Sequence, residues 1–101
     1  MKKVVVMVMF MVFVAGNAWA SKACMFQAEV AKSVMTSRQA GVPITVAIKS
    51  AEAMGAPKEL KEFFKIVINI AYKRPLYNSQ EMKQQAITEF SNEVYLVCER
   101  N

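Results

Sequence analysis

The sequence predicts an all-α protein: a small four-helix bundle in up-down-up-down order, with one disulfide joining the start of the first helix to the end of the last. Three features lead there. Apolar residues recur at i, i+3, i+4 and i+7 over four stretches, the spacing of a helix face. Gly41, Gly55 with Pro57, and Pro75 punctuate those stretches and leave short links, so successive helices should be antiparallel neighbours. Finally, Cys24 and Cys98 flank the helical part, positions that fall at the same end of an up-and-down arrangement of four helices.

Ahead of the helices, Lys2 and Lys3 precede eleven apolar residues, Val4–Val14, and Ala18-Trp19-Ala20 forms a small-x-small step. A basic end, a short apolar core and a small-residue cleavage site make the layout of a secretory leader. A spanning helix needs about 20 apolar residues, and Asn17 ends this run early. Residues 1–20 are therefore expected to be a signal peptide cut after Ala20; the competing reading is an uncleaved anchor. Residues 21–101 then form a single helical domain, periplasmic or secreted. Loss of Lys2 and Lys3 takes the 13 Lys and Arg to 11 against 8 Asp and Glu, a mature net charge of +3.

Cys24 follows the expected cut closely, which raises lipid attachment. The preceding Ser21-Lys22-Ala23 places a charge where a lipoprotein signal is apolar or small, and this argues against it. An even cysteine count in a short exported chain reads as a disulfide, with two unpaired buried thiols as the alternative. A Cys24–Cys98 bridge would close most of the mature chain into one loop, worth about 4 kcal/mol in the chain-entropy model. A core of this size rarely supplies more than roughly 3–5 kcal/mol, so such a staple could decide whether the domain stays folded.

The first helix is expected from about Lys22 to Ala40, with Cys24, Ala28, Ala31 and Met35 on one stripe and Val34 beside it. Gly41 provides the left-handed residue that commonly ends a helix, and Pro43 suits the first turn of the next. The second helix, about Pro43 to Met54, places Ile44, Ala47, Ile48 and Ala51 on one face. The third, about Pro57 to Lys73, is the most apolar. Leu60, Phe63, Phe64, Val67, Ile68 and Ala71 fill one face, and Ile66 and Ile70 widen it, which predicts a position in the middle of the bundle. Its β-branched Ile66–Ile70 run also suits a buried strand, but the unbroken helical period from Leu60 outweighs this. Asn78-Ser79-Gln80-Glu81 has a capping-box pattern with Asn78 as the cap. The last helix should reach about Glu99, with Met82, Ala86, Ile87, Phe90, Val94, Val97 and Cys98 inward. Met25, Met35, Met54 and Met82 read as adaptable core filler.

Chemistry is sparse. The chain has no His, and the mature part has no Asp. The commonest general base and zinc ligand are thus missing, and no Ser-His or Cys-His nucleophile pair can be assembled within the chain. Glu59 with Glu62 and Glu89 with Glu93 are spaced as helical neighbours on polar faces, as solvated carboxylates are. The glycines are isolated, so no phosphate-cradling loop is present. No catalytic residue, metal or cofactor is expected, and the protein is not read as an enzyme.

Two surfaces are candidates for interaction. Lys58, Lys61, Lys65 and Lys73, with Arg74 beside them, make a basic strip on the third helix that could meet lipid phosphates, cell-wall carboxylates or an acidic protein. Equally, a largely buried helix needs one wet face, and Glu62 dilutes the field. Tyr72 and Tyr77 bracket Pro75 in the last link, where aromatics on a rigid corner suit protein recognition. The alternative is that Tyr72 packs at the core edge and Tyr77 against the start of the last helix.

Arg38-Gln39-x-Gly41, Ala71-Tyr72-x-x-Pro75, Gln85-Ala86-Ile87-Thr88-Glu89-Phe90 and the late Cys98 together resemble a type of small exported protein of Gram-negative bacteria and their prophages. The similarity covers most of the mature chain, but these motifs are structural, and proteins of this type are largely without assigned function. A second similarity, in the Tyr95-Leu96-Val97-Cys98 ending and not in the middle, is to the periplasmic Spackle family of T-even-type phages. That family inhibits the tail lysozyme of a second phage, which implies an inhibitor role.

The resulting expectation is a non-enzymatic, periplasmic protein-binding module of phage or prophage origin whose partner is another envelope protein. The alternative is an envelope-surface binder that uses the basic strip on anionic lipid or cell wall. Nucleic acid is not expected as a partner at net +3 in that compartment. An acid-stress chaperone ranks last, because the usual pH-responsive groups are lacking.

Overall fold

A computed structural model describes residues 22–101. The expected leader and its cut lie outside the described residues. Among the described residues there are four helices and no strand: α1 over residues 22–39, α2 Ile44–Ala53, α3 Lys58–Ala71 and α4 Gln80–Arg100.

The order is up-down-up-down. Cys24 and Cys98 are joined by a disulfide, with their Cα atoms 5.4 Å apart. Farther along, Ser91 Oγ donates to the Ala28 carbonyl (3.1 Å) and Lys83 Nζ to the Gln39 carbonyl (2.7 Å). These three ties pair α1 with α4 along its length in antiparallel sense. Arg38, at the end of α1, reaches the backbone just beyond the end of α3, so α3 runs with α1. The short α2 packs against α3.

Val30, Ala31, Val34 and Met35 of α1 meet Ala51 of α2, Val67, Ile68 and Ala71 of α3, and Ile87 and Phe90 of α4 in one cluster. Phe90 and Met35 are its largest fully enclosed side chains, each stabilising the fold by about 1.5–3 kcal/mol through burial. The expected faces of α1 and α3 supply most of this cluster. The methionines divide: Met35 is buried, Met54 half-buried, and Met25 and Met82 are exposed rather than filling the core.

The helix ends follow local chemistry. Gly41, at φ 81°, takes the left-handed conformation. Its N–H donates to the Arg38 carbonyl (3.0 Å) and the Val42 N–H to the Ser37 carbonyl (3.1 Å), the paired bonds of a Schellman stop. At the start of α4, the cap is Ser79 and not Asn78: the Ser79 hydroxyl accepts from the Met82 N–H (3.1 Å). The chain enters the helix one residue later than the capping-box pattern suggests. Likewise α3 ends at Ala71, which leaves Lys73 in the following turn.

One expectation about packing is overturned. Ile66 and Ile70 do not make α3 a central helix; they are 58% and 43% exposed. Both side chains line an open recess between α3 and α4 instead of a closed helix–helix contact.

Candidate interaction surface

The Arg38-Gln39 step at the end of α1 organises the link between α3 and α4. Gln39 is only 3% exposed, and its amide is used on both sides. Nε2 donates to the Pro75 carbonyl (2.8 Å), while Oε1 accepts from the Tyr77 N–H (3.0 Å). Arg38 donates twice, from Nε and Nη2, to the Arg74 carbonyl (3.1 and 3.0 Å), and its guanidinium lies over the Tyr72 ring. The Tyr72 hydroxyl in turn donates to the Val42 carbonyl (2.7 Å). Burial pushes the Tyr72 phenol above its usual range, and the nearby Arg38 cation partly opposes this. Lys83 completes the corner by placing its ammonium on the Gln39 carbonyl, at the negative end of the α1 dipole.

The two tyrosines therefore stand differently from exposed recognition residues. Tyr72 is half-buried with its hydroxyl committed, and Tyr77 is half-buried in a shallow recess shared with Met82 and Ala86. They sit in the same link and both are held to the end of α1, Tyr72 through its hydroxyl on Val42 and Tyr77 through its N–H on Gln39, while the Tyr77 side chain faces the start of α4.

Two cations of the basic strip are engaged in ion pairs. Lys65 pairs with Glu52 of α2 (3.3 Å), and Arg74 makes a two-pronged contact with Glu93 of α4 (2.8 and 3.4 Å). The Glu93 hydrogen bond raises the Arg74 pKa further, against an opposing effect of burial, so this residue is a fixed cation. Its guanidinium also lies over the Phe90 ring, 5.3 Å from the centroid. Lys58 and Lys73 are exposed and Lys61 is half-buried, but Lys73, beyond the helix end, leaves the line of the other three.

The feature missed by sequence reasoning is a groove of about 310 Å³ between α3 and α4. Phe63, Ile66 and Ile70 form one wall and Val94 and Val97 the other, with Phe90 and Val67 beneath. The Arg74–Glu93 pair closes one end, and Gln27, Cys98 and Asn101 border the other. Val97 is 50% exposed, although its helical position predicts an inward side chain. The signal was present in the sequence: Ile66 and Ile70 widen the apolar face of α3 beyond what the neighbouring helices cover.

Among the described residues, no three His, Cys, Asp or Glu side chains gather as a metal site would require, and no helix is long and apolar enough to cross a membrane. Comparison of the chain with protein-family models, with curated proteins and with solved structures gives no match.

Proposed function

We propose that this protein is a non-enzymatic binding module of the bacterial envelope that holds a partner protein in the groove between α3 and α4. The observation that carries the proposal is the exposure of Ile66, Ile70 and Val97 around a recess of about 310 Å³. Apolar side chains left in water around a concavity are the usual form of a site for a partner's anchor residue. The volume suits one large side chain rather than an extended surface. The bridge between Cys24 and Cys98 supports export to an oxidising compartment, as does the leader pattern of residues 1–20. Resemblance to exported prophage proteins supports a phage or prophage origin, and the Spackle-like ending supports a lysozyme-type enzyme as the partner to try first.

The basic strip supports the envelope-surface alternative less well, since Lys65 and Arg74 are engaged in ion pairs. Co-purification from periplasm separates the two. A partner retained by the native protein and by Tyr72→Phe, but lost from Ile66→Ser/Ile70→Ser, supports the groove. Retention by all three sinks it. Salt-sensitive sedimentation with anionic vesicles, unaffected by the isoleucine changes, would favour the basic strip instead.

A further inference from the structure

The two cysteines of the disulfide occupy unlike environments. Cys24 is 3% exposed and belongs to the core side of α1. Cys98 is only half-buried and borders the open end of the α3–α4 groove. They also sit at opposite helix ends. Once the leader is removed at the expected cut, Cys24 stands in the first turn of α1, where the helix dipole favours a thiolate. Cys98 stands in the last turn of α4, with its carbonyl accepting from the Asn101 N–H (3.2 Å), where the same dipole disfavours one. In thiol–disulfide exchange, the accessible sulfur is attacked and the sulfur with the more stable thiolate departs. The greater exposure of Cys98 and the helix positions of the two residues therefore point the same way. Burial of Cys24, which raises the pKa of a departing thiolate, opposes them only in part.

We propose that Cys98 is a site of S-thiolation: a low-molecular-weight thiol of the glutathione class attacks its sulfur, and Cys24 is the leaving group. The incoming thiolate, its proton given to solvent, forms a bond to Cys98 Sγ. The Cys24–Cys98 bond breaks, and its electron pair leaves on Cys24 Sγ, which takes a proton from solvent. No further oxidant or reductant is required. The adduct stands at the mouth of the groove, while the freed Cys24 thiol remains beneath it, positioned to expel the adduct and restore the bridge.

The full chain, exported under its own leader and recovered oxidised, is exposed briefly to reduced glutathione and quenched in acid. Peptic digestion at acid pH and mass spectrometry then locate the adduct. The expected result is glutathione on Cys98 in roughly tenfold or greater excess over Cys24, reflecting both access and leaving-group quality. The same reaction in guanidinium chloride should bring the two sites close to parity. An excess on Cys24, parity in the folded protein, no adduct on either cysteine, or a Cys98 preference that survives unfolding would each overturn the proposal. None of these readouts involves a binding partner, so they are independent of the groove's proposed function.

Discussion

The corner where α1 meets the α3–α4 link and the groove between α3 and α4 lie on the same small domain but dispose of their side chains in opposite ways. At the corner, groups that look available in the sequence are consumed internally: Gln39 spans two backbone groups, Arg38 serves the Arg74 carbonyl, and the Tyr72 hydroxyl serves Val42. In the groove, residues that look destined for the interior stay in water because no helix reaches them. Polarity in a sequence thus shows which groups need a partner, and geometry determines whether the partner is internal. Surplus apolar surface on α3 is the more informative sign of an unmet contact.

The largest expected effect comes from the tie that holds both regions. Replacement of Cys24 and Cys98 by Ser should cost about 4 kcal/mol, seen as a large fall in the thermal midpoint. Equal midpoints for oxidised and reduced protein would show that the bridge contributes little. Within the corner, Gln39→Ala strands the Pro75 carbonyl and the Tyr77 N–H and should cost about 2 kcal/mol in denaturant titration. A change below about 0.5 kcal/mol would show that water replaces the amide, weakening the contrast with the groove.

Smaller effects sharpen it. Gly41→Ala forces a Cβ into the left-handed conformation at φ 81° and should cost about 1 kcal/mol, although space around that position is open. Tyr72 contributes in a pH-dependent way. Its raised pKa means that the folded state keeps a proton which the unfolded chain loses, so its contribution is complete below about pH 10 and declines as pH rises through the folded value. Tyr72→Phe should flatten that alkaline decline in a stability–pH profile; an unchanged profile would assign it to another group. Last, Ile66→Ser with Ile70→Ser should change stability by only about 0.5 kcal/mol while removing partner capture. A loss of several kcal/mol would mean that these side chains belong to the core after all.

The helices were legible because their signals are local. Gly41 and Pro43 end one helix and begin another, and the period from Leu60 to Ala71 is unbroken. The disulfide was legible from count and topology together. The surface was not, because exposure depends on the relative lengths of elements far apart in sequence. Ile66 and Ile68 are equivalent in type and separated by one residue, yet Ile68 is enclosed and Ile66 open. Similarly, Asn78 and Ser79 are both good caps, and the choice of Ser79 goes with Gln39 holding Tyr77 at a fixed point in the link. That constraint reaches across the fold and leaves no mark on the local pattern.

The bond between Cys24 and Cys98 also changes what a backbone break can do. With its first and last helices welded, the chain from Cys24 to Cys98 is covalently a ring. A protease that nicks the link between α2 and α3 therefore opens the ring without releasing a fragment. The cut product keeps its mass apart from one added water and still runs as a single species on a non-reducing gel. A first cleavage at such a link need not be a loss, since the severed halves remain in register to pack again.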